Sequence, residues 1–465
     1  MGRYQSRSLW LDSCGDDLTP RPALPGDLAA DVAIVGGGLT GLWTAWYLRR
    51  ADPSLRVVVL EAEICGFGAS GRNGGWCSAL FPASLDQLAS FAGRDAAVAQ
   101  YRAMIDTVDE VGRVVDELGL DVHWAKGGTL AVATNPAHVP RLRSHVAHER
   151  SWGFDEADLR WLNGHEVRER FRVTSADGAP VLGGAYTPHC AALHPGRLVR
   201  GLARAVDGAG VQVCEGTRVR RIDPGVVRTD HGDVRAPVVL RCTEGYTPGL
   251  AGHERDVIPL YSLMIATAPL PDAAWDEIGL AARETLTDGR HLLIYGQRTA
   301  DGRVAFGGRG APYHFGSAVR DGYDRDAGVF AALREALHEL LPATRDVPVT
   351  HEWGGPLAVP RDWTASVHFD RGQGMGSAGG YVGDGVSTTN LAGRTLADLV
   401  LGVDSELVRL PWVGHASPRW EPEPLRWIGV NAGRSVAELA DRVERRRRRP
   451  ARLAERVMEL FTGGH

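Results

Sequence analysis

The stretch DVAIVGGGLTGLWTAWYLRRADPSLRVVVLE, residues 31–61, constrains the fold more than any other part of the chain. Val32 to Val35 is a short apolar run, suited to a strand buried on both faces. Gly36, Gly38 and Gly41 follow in G-x-G-x-x-G spacing, and Leu42 to Arg50 continues with helix formers and no proline. Arg56 to Leu60 is a second apolar run, closed by Glu61, 20 residues past the last glycine. Strand, glycine turn, helix, strand and acid are the parts of a dinucleotide-binding unit. Gly36 permits the turn, Gly38 lets a pyrophosphate approach the backbone, and Gly41 lets helix and strand pack closely. Free N–H groups at the helix start favour phosphate, with Leu39 and Thr40 in the first turn. Glu61, followed by Ala62, accepts ribose hydroxyls and repels a 2′-phosphate. The unit alone does not choose between NAD and FAD.

The next segment, ICGFGASGRNGGWCSALFP, is too rich in glycine for regular structure. Gly68, Ala69, Gly74 and Gly75 let a backbone approach a flat ligand, Ser70, Arg72 and Asn73 offer donors, and Trp76 closes the loop. GASGRNGG after a dinucleotide motif resembles the D-amino-acid-oxidase-like FAD-dependent oxidoreductases, in particular the branch that includes gamma-glutamylputrescine oxidase. The resemblance runs over residues 30 to 405 and implies a noncovalent FAD with its flavin along this loop. It further implies that the Val219 backbone holds the adenine edge and that Thr243 sits beside the dinucleotide. A second glycine turn, GGYVGDGVSTTN, precedes a helix from Ser387 to Leu401. In such a family this turn (Gly383, Asp384, Gly385, Val386, Ser387 and Thr388) points a helix N-terminus at the flavin, where it stabilises negative charge developing on reduction. Many relatives carry His where this chain has Asp384.

The expected architecture is α/β. It has a discontinuous Rossmann-type FAD domain (31–85, 190–255 and 350–405) and an antiparallel-sheet α+β substrate domain (86–189 and 256–349). A surface arm (1–30) precedes them, and a helical extension (406–465) carrying the run Arg445 to Arg449 follows. Residues 86–120 read as one long helix and Leu162 to Phe171 as a short one. Ile258–Pro269, His291–Gln297 and Arg303–Gly308, with 123–134, read as strands of a sheet roofing the flavin.

The implied reaction is oxidation of a C–N bond with oxygen as acceptor, yielding hydrogen peroxide. Amino-acid oxidases of this kind hold the substrate carboxylate with an arginine near the stretch that here reads Gly354-Gly355-Pro356-Leu357, which has none. The expected substrate is therefore a primary or secondary amine with a longer tail, with Arg309 placed for an anionic part of it; Arg361 follows the stretch soon after. Lys126, the only lysine in the chain, is a candidate for assisting oxygen reduction, and Tyr261 and Trp353 are candidate pocket aromatics. The net charge of −5 gives no reason to expect a nucleic-acid partner. Six scattered cysteines without C-x-x-C suit reduced thiols in a cytoplasmic protein rather than a disulfide framework or metal site. No apolar run approaches the roughly 18 residues of a membrane span, and oligomeric state is not legible.

Overall fold

The computed structural model describes residues 2–172, 181–308, 310 and 312–451. The strand-turn-helix-strand of residues 31–61 forms as expected: Val32–Val35, the helix Leu39–Ala51 and Val57–Leu60. The two strands pair in parallel and are buried throughout. They sit in a six-stranded sheet ordered Ser366–Asp370, Met375–Gly379, Val238–Arg241, Val32–Val35, Val57–Leu60, Gln212–Cys214. Every pairing is parallel except that of the first two. Segments far apart in sequence thus build one sheet, and its glycine turns leave from the strands' carboxyl ends, where open α/β sheets bind ligands.

A second sheet has eight strands in the order Val349–Val359, Ile258–Thr267, Val304–Gly308, Ile294–Arg298, Thr285–Asp288, Thr129–Val132, Gly183–Thr187, Arg160–Asn163. It is mixed rather than antiparallel, because Thr285–Asp288 pairs in parallel with Thr129–Val132. Its first strand reads HEWGGPLAV, and Gly-Gly-Pro in that run argues for a turn. Pro356 is tolerated because Val349–Val359 is the edge strand, where a missing N–H leaves no bond unmade.

Two further expectations are corrected. Residues 86–120 form two helices, Leu85–Ala92 and Arg94–Glu117, broken at Gly93, whose φ of +87° no helix accepts. Leu162 belongs to a strand, and the helix after it (Gly164–Arg170) starts on a capping box between Asn163 and Glu166. The arm is anchored more deeply than a surface segment needs: Leu9, Trp10 and Leu11 are at most 2% exposed, and Trp10 Nε1 donates to Asn73 O. The C-terminal extension contains the helix Leu425–Arg447, which ends as Arg448 turns left-handed at φ +54°. No helix among the described residues is long and apolar enough to cross a membrane.

Candidate cofactor and reaction site

The first glycine turn is packed to its limit. A Cβ on Gly41 would stand 2.1 Å from Gly36 O, and one on Gly36 (φ +113°) 2.4 Å from Cys242 O. The Leu39–Ala51 helix has Gly38 as its N-cap, so no side chain caps it, and its first turn carries no acid. Ser70 Oγ accepts the Leu39 N–H at 2.9 Å, tying the helix start to the glycine-rich loop. Glu61 is half-buried beneath the turn and accepts from Gly37 N at 2.8 Å and Glu63 N at 3.0 Å. Burial pushes its carboxyl up to about 7.

The polar side chains of the loop act as staples. Arg72 donates to Phe67 O, pairs with buried Asp324 at 3.0 Å and reaches Gly354 O at 3.2 Å. Asn73 closes on Ala69 O, Ser70 O and Gly75 N. At the second turn, Ser387 Oγ donates to Ser78 O and Thr388 Oγ1 to Asp384 O. The side chains of Ser70, Arg72, Asn73, Ser387 and Thr388 are therefore engaged within the protein, and what Gly68, Ala69, Gly74, Gly75, Gly383, Gly385 and Val386 offer a ligand is backbone. The helix Gly385–Leu401 has Asp384 at its N-cap without a side-chain cap bond and no acid in its first turn.

The two glycine turns are joined. Thr40 Oγ1 and Tyr381 Oη lie 3.0 Å apart across 341 residues of sequence. Glu244, held at φ +42°, accepts from Gly380 N at 2.9 Å and Tyr381 N at 3.3 Å. Burial drives its carboxyl to about 7. Thr243, beside it, shares a hydrogen bond with Thr247 at 2.8 Å. Val219 lies in a separate four-stranded sheet, paired with Thr229 next to a register shift. Trp76 Nε1 is buried with no hydrogen-bond partner. A helix start with glycine at its N-cap, a half-buried acid at the second strand's end and an orphaned indole donor beyond the loop together fit a dinucleotide with a flavin.

The eight-stranded sheet presents one face to this loop. Alternation along Ile258–Thr267 sends Ser262 and Met264 to that face and Tyr261, Leu263 and Ile265 to the other. Ser262 Oγ and Tyr295 Oη are 2.8 Å apart, and a Cβ on Gly74 would lie 2.9 Å from the Tyr295 ring. The Trp76 and Tyr295 rings meet edge to face at 6.1 Å. Gln297, two residues on, donates to Gly74 O at 2.7 Å. Tyr261 instead packs with Leu263, Phe330 and Leu333, and its ring meets His314 and Tyr323 edge-on. Trp353 lies on the loop side but is wholly enclosed beneath Leu9 and Trp10, donating to Arg72 O at 2.9 Å. Lys126 pairs with Asp109, its side chain 35% exposed. Arg309 lies outside the described residues. Ser262 and Tyr295 escaped the sequence reading, although two-residue alternation along IPLYSLMIAT was signal enough to find Ser262.

The family model described as FAD dependent oxidoreductase (DAO) matches residues 31–399, which spans both glycine turns. The chain belongs to this DAO family. The DAO match makes FAD its cofactor and oxidoreduction its chemistry. Among DAO-type relatives, the probable oxidoreductase OrdL of Rhizobium meliloti is 31% identical, over 86% of this chain and 89% of its own length. The gamma-glutamylputrescine oxidoreductase of Escherichia coli is 29% identical, over 85% and 89%. The DAO fold is shared with glycine oxidase from Geobacillus kaustophilus, with a TM-score of 0.69 at 22% identity over 83% of this chain and 99% of that one.

Proposed function

We propose that the protein oxidises a C–N bond of a primary or secondary amine to an imine, which water hydrolyses to an aldehyde or ketone, while oxygen is reduced to hydrogen peroxide. The likeness to gamma-glutamylputrescine oxidoreductase over most of both chains supports the C–N bond. Bound FAD, held without a covalent link, supplies the two-electron acceptor. The observation that carries the reading is the Ser262–Tyr295 pair set against Gly74 and Trp76. The two hydroxyls offer hydrogen bonds to orient an amine. An amine loses a hydride from its α-carbon only as the free base, and a site that excludes water favours that form by disfavouring ammonium. The serine–tyrosine pair accepts or donates at the substrate nitrogen, and the loop backbone fixes the carbon beside it.

The charges nearby favour a tailed amine over a small α-amino acid. Of the arginines that flank the Gly354–Leu357 stretch, Arg72 is spent on Asp324 and two carbonyls. Arg361 is spent on Glu421 at 2.9 Å. Neither is left for a carboxylate placed next to the reacting carbon.

The test is anaerobic mixing of the FAD-loaded protein with a panel of amines while flavin absorption is followed, then admission of air. Bleaching by a tailed amine, with recovery and peroxide in air, is the expected result. Bleaching without recovery would replace oxygen by another acceptor. Turnover of glycine or D-alanine as fast as of any tailed amine would overturn the substrate class, and no bleaching by any amine would overturn the reaction.

A further inference from the structure

A pocket is lined by Gln297, two residues along its strand from Tyr295. It is a cavity of 150 Å³ between the N-terminal arm, the start of the helix Pro195–Gly208 and the turn at 299–301. Two half-buried arginines line it. Arg283 donates to the carbonyls of His123 and Arg298, neither of which neutralises it. Arg197 pairs with Asp121 through one Nη, while its Nε is buried with no partner. The carboxylate on the wall, Asp301, is taken by Thr299 and Arg303. His194 adds no charge: burial pushes it down to about 3, and its Nδ1 accepts from Arg197 N.

Gln297 supplies a separate observation. It is fully buried and lines the pocket. Its Nε2 is fixed by three carbonyls, Gly74 O at 2.7 Å, Gly75 O at 3.2 Å and Leu193 O at 3.2 Å. Exchanging Oε1 and Nε2 would set an acceptor against three acceptors, so the orientation is determined. Oε1 is consequently the free end, and it is buried with no hydrogen-bond partner. A buried acceptor without a donor calls for one. The pocket thus combines a guanidinium group that donates only to carbonyls and an acceptor without a donor, in space for only a few heavy atoms.

We propose that this pocket binds a small carboxylate that carries an adjacent hydroxyl or ammonium group. The carboxylate pairs with Arg283 and Arg197, and the neighbouring donor meets Gln297 Oε1. Because Gln297 also holds the carbonyls of Gly74 and Gly75, occupancy is felt at the loop that lies against the flavin.

The probe is lactate, which has both groups, titrated calorimetrically into the FAD-loaded protein. Acetate lacks the donor and lactamide the charge. Lactate is expected to bind and to perturb the flavin absorption, with acetate and lactamide each weaker by about tenfold, the worth of one charge-assisted hydrogen bond. Arg283→Gln is expected to weaken lactate by at least about tenfold. Ala300→Trp, which plugs the exposed rim without touching a cation, is expected to abolish binding at unchanged FAD content. No heat with lactate would overturn the proposal. So would binding that both variants leave unchanged, or that an amine substrate displaces competitively, since either places the lactate in the reaction site.

Discussion

At the scale of single residues, buried groups hold the two glycine turns in place, and their chemistry is open to test. Gly41 has no room for a side chain, with Gly36 O 2.1 Å from where a Cβ would stand. Gly41→Val is expected to cost about 1–3 kcal/mol through overpacking and to reduce FAD retained on purification, read from the ratio of flavin to protein absorbance. Glu244 is half-buried while clamping Gly380 and Tyr381, and desolvation raises its carboxyl from the usual 4.5 to about 7. The native state then binds a proton that the unfolded chain has released. The stability this proton confers is fully present below pH 4.5 and is lost as the pH rises through about 7. Glu61 is raised in the same direction by burial. Urea midpoints of the wild type should fall between about pH 5 and pH 7.5, and Glu244→Gln should flatten that fall without abolishing it. An equal slope in the variant would remove Glu244 from the account. Lys126 is salt-bridged to Asp109 and partly exposed. An ammonium already neutralised in that way contributes little elsewhere, so Lys126→Met is expected to change flavin reoxidation by less than about twofold. A larger loss, measured by stopped flow, would restore it as the group that assists oxygen.

At the scale of elements, the helix Leu425–Arg447 is held by its acids against the turn before the strand Ile294–Arg298, and Arg445 of the arginine run adds pairs with Glu335 and Glu339. Asp441 accepts the N–H groups of His291 and Leu292 at 2.8 and 2.9 Å. Glu444, almost fully buried, accepts from Arg141 at 2.8 Å, His291 at 3.0 Å and Ala451 N at 3.0 Å. Although burial opposes it, these donors hold the Glu444 carboxyl down to about 2. A lowered native pKa gives stability that is present above the usual 4.5 and lost as the pH falls through about 2. Asp441, raised by burial, works in the opposite sense. Glu444→Gln keeps the shape and removes the charge that faces Arg141. It is expected to speed tryptic cleavage within the arginine run at neutral pH severalfold, the mark of a helix end that opens more often. Cleavage at the wild-type rate would mean that apolar packing alone seats the helix. This clasp was hidden from the sequence, since Arg445 to Arg449 draws the eye while Asp441 and Glu444 look like ordinary helix-surface acids.

At the scale of the whole molecule, what could be read from sequence was what repeats locally. The helix Leu39–Ala51, its flanking strands and the start of the second helix at Gly385 all follow from spacing within some thirty residues. What was missed depends on contacts far apart in the chain. Trp10 reaches Asn73, Glu244 reaches Gly380, Thr40 reaches Tyr381, and Tyr295 faces Gly74. These joins also make the cofactor cradle a shared property of the fold, since its pieces leave both ends of the six-stranded sheet's sequence and abut the eight-stranded one. FAD bound there holds the native state alone, because no such cradle exists in the unfolded chain, and stabilises it by about 2.7 kcal/mol when free FAD is a hundredfold above its dissociation constant. Buried groups such as Gln297, which ties the eight-stranded sheet to Gly74 O and Gly75 O, should transmit that gain to both sheets. Calorimetry of the FAD-loaded protein is therefore expected to show one transition that moves up with added FAD, and removal of FAD to lower it as a unit. Two transitions, of which only one responds to FAD, would show that the sheets melt separately and that the contacts through Gln297, Trp10 and Arg72 do not couple them.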